Sequence, residues 1–163
     1  MDFDTTFDEQ YPALVRYCQR FSGDRDVAED VAQECMFRLF GSDVRGAPEG
    51  VRAWLFKTAT HLLRDQWRVE SNRRRLLALH PVAPRDPEPP DRSLERAEER
   101  DLASAALHTL SPRDREVLLM RYSGFSYREI AEALDMAEGS VGTTLARAER
   151  RFEAAVRRAG EAA

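Results

Sequence analysis

The sequence predicts an all-α fold made of two small helical domains joined by a proline-rich linker. Apolar residues recur three and four positions apart in every long segment, which is the spacing of an amphipathic helix. Five of the eight prolines lie within residues 80–92, where fixed φ angles and missing N–H donors favour an extended linker. The chain has 163 residues, enough for one ordinary domain or two small ones. We therefore expect domains at residues 1–79 and 93–163.

The first domain is predicted to contain three helices, the first of them over about residues 6–21. The second follows Asp24, whose carboxylate can cap the first turn. Its wide apolar stripe consists of Val27, Ala28, Val31, Ala32, Cys35, Met36, Leu39 and Phe40. Three glycines and a proline indicate a turn-rich loop at residues 41–50, and a long third helix is expected from about residue 51 to residue 79.

The second domain is predicted to begin with a helix over about residues 93–109. Ser111 and Pro112 mark the start of the next helix, because serine is a preferred N-cap and proline is tolerated at the first helical position. This helix is expected to end near Gly124, since glycine commonly follows the last turn of a helix.

The last two helices have the layout of a helix-turn-helix motif. Ser126 and Glu129 form a capping box that opens a short helix. A turn at residues 135–137 leads to a longer helix over about residues 138–158. In a helix-turn-helix the second helix enters the major groove of DNA. The alternative interpretation of the same pattern is a plain helical hairpin that does not bind DNA. Outward residues expected to contact base edges or phosphates are Ser140, Thr143, Thr144, Arg147, Arg150 and Arg151.

The net charge of −4 excludes a uniformly basic nucleic-acid-binding protein but permits a locally basic one. Residues 1–50 hold five basic and eleven acidic groups, whereas residues 51–75 hold seven basic and two acidic groups. Within that basic segment, arginines alternate with aromatic residues, a combination that suits single-stranded DNA. An ordinary solvated helix face is the alternative. The residues concerned are Trp54, Phe56, Arg64, Trp67, Arg68 and Arg75.

Composition and motifs argue against several other classes of protein. Two cysteines without a CxxC spacing, and three scattered histidines, do not suit a disulfide scaffold or a metal site. No nucleotide-binding, metalloprotease or hydrolase motif occurs, so we expect neither a cofactor nor enzymatic activity. No stretch has the roughly 18 apolar residues of a membrane span. The acidic start lacks a signal pattern, which favours the cytoplasm.

Strings typical of bacterial sigma factors occur in both predicted domains. They are AEDVAQE at 28–34, RAWLF at 52–56, LSPRDREV at 110–117 and YSGFSYREIA at 122–131. Their order and spacing resemble conserved regions 2 and 4 of the extracytoplasmic-function (ECF) group of the sigma-70 family. The resemblance implies a region 2 helical bundle and a region 4 helix-turn-helix. It also implies a function in promoter recognition, promoter melting and transcription initiation.

The same resemblance implies which residues bind each partner. Core RNA polymerase would be bound by region 2 at the β′ clamp helices, through Asp30, Gln33 and Glu34, and by region 4 at the β flap. The promoter −10 element would be bound by Arg45, Lys57, His61, Arg64, Trp67 and Arg68. The −35 element would be bound by Arg128, Ser140, Thr143, Thr144, Arg147, Arg150 and Arg151. An anti-sigma factor is a further implied partner, whereas a small-molecule substrate and membrane insertion are not implied.

The recognition helix is less basic than is usual in the resembled family. Gly142, Thr144 and Glu149 stand where basic residues are frequent, and His61 stands where asparagine is common. Because affinity falls with each lost phosphate contact, we expect a weak −35 contact that depends on attachment to polymerase. Two alternatives remain open from the sequence: a stand-alone helix-turn-helix regulator, and a sigma-like protein that only sequesters an anti-sigma factor.

Overall fold

The structure is a computed structural model that describes residues 2–78 and 94–162, with the backbone alone for residues 94 and 95. Its helices are α1 (Phe3–Ser22), α2 (Arg25–Phe40), α3 (Pro48–Leu77), α4 (Leu94–Thr109), α5 (Pro112–Tyr122), α6 (Tyr127–Leu134) and α7 (Glu138–Glu161). The described residues form no strand, and the predicted all-α class is confirmed. The predicted linker at residues 80–92 lies outside the described residues, and the domain boundaries stay predictions.

Local sequence signals account for where the helices begin. The Asp24 carboxylate accepts hydrogen bonds from the N–H groups of Asp26 (2.9 Å) and Val27 (3.2 Å), so the predicted cap of α2 is confirmed. The third helix begins at Pro48, inside the segment predicted to be loop, because a proline at the first helical position has its φ angle already set. The last helix continues three residues beyond the predicted end at residue 158.

Helices α1, α2 and α3 pack together as the first half of the molecule. Tyr17 of α1 is buried, and its hydroxyl shares a hydrogen bond of 2.6 Å with the hydroxyl of Thr60. Cys18 and Cys35 are buried free thiols, and burial raises the pKa of Cys35 to about 12. Phe40 departs from the predicted stripe, because its side chain is mostly exposed and its ring packs edge-to-face against an aromatic ring of α1.

Helices α4 to α7 form the second half, in which α5 and α7 pack closely. The predicted capping box is present: Ser126 Oγ accepts from the Glu129 N–H (3.2 Å), and Glu129 Oε2 accepts from the Ser126 N–H (2.8 Å). Asp135 ends α6 in the left-handed region at φ 51°, a conformation that aspartate tolerates better than most residues. The turn of the helix-turn-helix therefore has the chemistry that its sequence predicts.

The two halves share a buried core. The Phe56 ring of α3 packs against Phe125, which follows α5, with the ring centroids 4.8 Å apart. The Arg52 guanidinium lies 4.2 Å above the Phe125 ring and donates to the carbonyl oxygen of Ser123. Cation–π contacts of this kind gain strength when they are shielded from water. Residues of α3 therefore fix the loop that precedes the helix-turn-helix.

Arg115 supports the same junction from inside α5. Its side chain is buried, and its guanidinium donates to the carbonyl oxygens of Phe21 (3.0 Å), Leu107 (2.9 Å) and Leu110 (3.3 Å). Burial lowers the pKa of Arg115, and the carbonyl groups compensate for the lost hydration of the charge. Since Phe21 lies in the last turn of α1 and the other two residues precede α5, this one side chain ties both halves together.

Candidate nucleic-acid interface

The predicted polymerase-binding residues lie on the side of α2 that faces away from the core. Asp30 and Gln33 are exposed and Glu34 is half-buried. Phe37 lies on the same face, three and four residues further along, and its side chain is 74% exposed. We call these four residues the α2 docking face. Glu34 accepts a hydrogen bond of 2.7 Å from Arg38, an exposed ion pair of under about 1 kcal/mol that a partner can displace.

Phe37 was not predicted from the sequence, although the helical spacing contained the signal. An aromatic residue one turn beyond three polar positions falls on the polar face of a helix. A large exposed ring beside carboxylates favours binding of a partner that offers both apolar and basic groups.

One face of α3 carries five of the six residues predicted to bind the −10 element. Lys57, His61, Arg64 and Arg68 follow helical spacing along it, and Trp67 lies beside them with 44% of its side chain exposed. We call these five residues the α3 basic face. A cationic groove with an accessible indole can attract a phosphate backbone and stack an unpaired base.

The remaining predicted −10 residue, Arg45, lies on the loop between α2 and α3. Its Nη1 donates to the carbonyl oxygens of Ser42 (3.0 Å) and Val44 (2.9 Å). The guanidinium is therefore held by its own loop and leaves other N–H groups exposed for a ligand.

Within the described residues, Arg64 alone among the five residues of the α3 basic face forms an ion pair with the second half of the molecule. Its Nη2 lies 2.6 Å from Oε2 of Glu116, and its Nε donates to the other carboxylate oxygen. Glu116 is 1% exposed and Arg64 is 25% exposed, and hydrogen bonding to Glu116 raises the pKa of Arg64. A cavity of about 350 Å³ adjoins the pair and is lined by Arg64, Trp67, Arg68, Ser111, Pro112, Arg113 and Glu116.

The recognition helix α7 places most, but not all, of its predicted residues outward. Ser140, Thr143 and Arg150 are exposed. Thr144 is buried, so the prediction that it faces outward is wrong. Because Thr144 lies three residues after Val141 and directly before Leu145, helical spacing places it on the buried stripe rather than the outer face.

Arg147 and Arg151 share one buried carboxylate that the sequence analysis did not single out. Asp114 is fully buried near the start of α5. Its Oδ1 accepts from Nη2 of Arg147 (2.6 Å), and its Oδ2 accepts from Nη1 of Arg151 (2.9 Å). The hydrogen bond to Asp114 raises the pKa of Arg147. No local pattern could have revealed this cluster, because more than thirty residues separate the carboxylate from either arginine.

Two further positions that the sequence singled out, Arg128 and Gly142, lie on α6 and α7. Arg128 of α6 is exposed and pairs with Glu132 at 3.3 Å, one turn along the same helix. At Gly142 a Cβ atom would lie 3.4 Å from Cε2 of Tyr127. A side chain at this position is therefore accommodated if the half-exposed tyrosine ring moves slightly.

The second half of the molecule contains a helix-turn-helix whose recognition helix carries arginines, and the first half, packed against it, contains the basic and aromatic helix α3. Together they define a DNA-binding protein with two contact surfaces. Comparison with protein families agrees. Residues 6–73 match the model for sigma-70 region 2, and residues 100–152 match the model for sigma-70 region 4.

Curated proteins similar to this chain include an ECF RNA polymerase sigma factor, SigL, of Mycobacterium tuberculosis (strain ATCC 25618 / H37Rv). It is 34% identical over 146 residues, covering 85% of this chain and 80% of SigL. The RNA polymerase sigma-E factor of Streptomyces coelicolor (strain ATCC BAA-471 / A3(2) / M145) is 29% identical and covers 91% of this chain and 82% of its own length. The chain therefore belongs to the ECF group of the sigma-70 family and is an RNA polymerase sigma factor.

Solved structures show the same fold. The sigma factor RpoE, in complex with the anti-sigma factor NepR from Bartonella quintana, aligns with a TM-score of 0.65 at 24% identity, covering 96% of this chain and 97% of RpoE. CnrH, in complex with the cytosolic domain of CnrY, aligns with a TM-score of 0.69 at 21% identity, covering 93% of this chain and 85% of CnrH.

A membrane-spanning helix and a metal-binding cluster are both absent from residues 2–78 and 94–162. Within these residues no helix is long and apolar enough to cross a membrane. The same residues hold no group of three or more histidine, cysteine or acidic side chains arranged to bind a metal.

Proposed function

We propose that this sigma factor directs core RNA polymerase to promoters through three separate surfaces. The α2 docking face binds the β′ clamp helices, the α3 basic face binds the −10 element during melting, and the outer side of α7 binds the −35 element. Region 4 also binds the β flap. Nothing in this scheme requires a cofactor, a small-molecule substrate or an enzymatic step.

The α3 basic face is the observation that carries the proposal. It combines four cationic or titratable side chains with a half-exposed indole along one helix. A duplex-binding regulator needs no stacking platform outside its recognition helix, whereas a protein that holds melted DNA does. Flipped bases also expose their whole hydrogen-bonding edge, which suits the neighbouring loop between α2 and α3.

The α3 basic face becomes fully available only when the two halves separate. In the arrangement that the structure shows, with the two halves packed together, Arg64 is bound to Glu116. We call this the closed arrangement, and the pair must break before the guanidinium can bind a phosphate. Binding to polymerase supplies the free energy for separation if the bound form holds the halves apart. This requirement fits a protein that binds promoters only as part of the holoenzyme.

The −35 contact is proposed to be weak. Thr144 is buried and Gly142 carries no side chain, so the first two turns of α7 offer no cation for a phosphate. Because each phosphate contact contributes strongly to affinity at low salt, most of the binding free energy must come from the polymerase and the −10 element.

An anti-sigma factor is proposed as the regulatory partner, and the cytoplasm as the site of action. The similar chain RpoE was solved with the anti-sigma factor NepR, which supports an equivalent partner here. A partner that bridges both halves would stabilise the closed arrangement and keep Arg64 paired with Glu116.

Run-off transcription with core polymerase tests the proposed function. Core enzyme, this protein and fragmented genomic DNA are expected to give discrete transcripts, whose mapped starts share upstream elements. The matched control is the same reaction with a protein carrying Asp30→Lys and Glu34→Lys, which should give few transcripts. Transcripts that appear equally without the protein would contradict the proposal, and so would duplex binding without initiation.

A further inference from the structure

The Asp114 cluster holds Arg147, the arginine of α7 that the sequence predicts to contact a base. The Asp114 N–H donates to Ser111 Oγ (3.2 Å), the N-cap of α5, so the carboxylate belongs to a capped first helical turn. The positive end of a helix dipole favours a negative charge there. Asp114 is therefore a rigid acceptor rather than a mobile one.

Arg147 donates hydrogen bonds to the Asp114 carboxylate from one edge of its guanidinium, which leaves another edge without a protein partner among the described residues. Its Nε lies 3.3 Å from Oδ1, and its Nη2 lies 2.6 Å from the same oxygen. Both N–H groups on Nη1 and one on Nη2 remain, since a guanidinium has five donors. The side chain is 43% exposed. The free pair of nitrogens has the geometry that bidentate recognition of a guanine edge requires.

Arg151 donates to the second oxygen of the carboxylate, Oδ2, which Arg147 Nε also reaches at 3.4 Å. The distance from Arg151 Nη1 to Oδ2 is 2.9 Å, and 59% of the Arg151 side chain is exposed. Two guanidinium groups on one carboxylate leave a net positive charge where α7 meets α5, and both side chains remain partly exposed there.

We propose that Asp114 is a positioning residue that presents the free edge of Arg147 to one guanine of the −35 element. The proposal rests on the proposed function, in which α7 binds duplex DNA. Arg147 itself contacts the base, Asp114 acts only through Arg147, and Arg151 contacts the phosphate backbone. The −35 element then has one strongly preferred base pair in an otherwise weak contact.

The test measures base preference with holoenzyme made from the full chain. Promoters with each base pair at every −35 position compete for holoenzyme carrying the wild-type protein, Asp114→Asn, Arg147→Ala or Arg151→Ala. Asparagine keeps the shape of aspartate while removing the charge. Thermal unfolding of each free protein shows whether the variant is folded.

The expected result is position-specific. Arg147→Ala and Asp114→Asn should each reduce preference for guanine at the same single position by about tenfold, which is the loss of one bidentate contact. Arg151→Ala should weaken binding to every promoter alike and lower its salt dependence. The positioning role is overturned if Asp114→Asn keeps the wild-type base preference, or if it weakens binding to all promoters equally. A wild-type holoenzyme that initiates nowhere would instead refute the proposed function.

Discussion

Replacing Arg64 with methionine removes the guanidinium that faces Glu116 and keeps most of the aliphatic stem. The carboxylate is 1% exposed in the closed arrangement, so it would be left as an uncompensated buried charge. Removing one partner of a buried ion pair costs about 3–5 kcal/mol. Since 25% of Arg64 is exposed, we take about 3 kcal/mol, at the lower end of that range.

This cost is relieved when the halves separate and Glu116 becomes hydrated. The variant should therefore open rather than unfold, with the ratio of closed to separated molecules falling roughly a hundredfold. Fluorescence energy transfer between dyes on cysteines introduced at Asp26 and Glu153 measures the separation, since both positions are exposed. Cys18 and Cys35 are buried and should remain unlabelled. Circular dichroism checks that helix content is unchanged.

Arg68→Met is the matched control, because it removes the same charge from an exposed position one turn further along α3. It should leave the transfer efficiency at the wild-type value. An unchanged transfer efficiency in Arg64→Met would refute the interpretation that the Arg64–Glu116 ion pair stabilises the contact between the two halves. An equal change in both variants would assign the effect to net charge instead.

Three further predictions concern other parts of the molecule. Asp30→Lys with Glu34→Lys should weaken binding to core polymerase at least tenfold in a pull-down. Asp8→Lys with Glu9→Lys, which makes the same change in net charge at exposed positions of α1, should not, and equal loss in the two double variants would assign the effect to net charge. Gly142→Arg should strengthen duplex binding and steepen its salt slope by about one unit. Gly142→Ala is the control, because replacing glycine by alanine stabilises the helix by about 1 kcal/mol without adding a charge. An equal salt slope of duplex binding in the two variants would exclude a phosphate contact by the arginine. Because burial raises the pKa of Cys35 from its ordinary 9.0 to about 12, the free energy of unfolding should decline between those pH values as the unfolded thiol ionises. In Cys35→Ala this contribution to the decline should disappear, and an identical decline in both proteins would contradict it.

Features encoded by adjacent residues could be predicted from the sequence. Asp24 caps α2, Ser111 and Pro112 start α5, and Ser126 with Glu129 forms the capping box. Each of these depends on hydrogen bonds within three residues, so chain spacing alone specifies them. Three residues of the α2 docking face followed in the same way, because Asp30, Gln33 and Glu34 share one side of a helix, whereas Phe37 was not predicted. On the α3 basic face, spacing indicated Arg64, Trp67 and Arg68, while Lys57 and His61 came only from the family resemblance.

Features that join distant segments could not be predicted. The Arg64–Glu116 pair spans 52 residues and the Arg147–Asp114 pair spans 33, and neither carboxylate differs locally from a solvated acidic residue. The prediction for Thr144 failed for another reason. Its spacing from the apolar residues of α7 indicated burial, but its polar type favoured the outer face.

Opening of promoter DNA is the property that separates a sigma factor from a duplex-binding regulator. Permanganate oxidises unpaired thymines, and its pattern on a promoter with core polymerase and this protein measures opening directly. The structure predicts reactive thymines at the −10 element, lost when Trp67 and Arg68 are both replaced by alanine. A promoter that is bound by polymerase and this protein, yet remains unreactive throughout, would contradict the account.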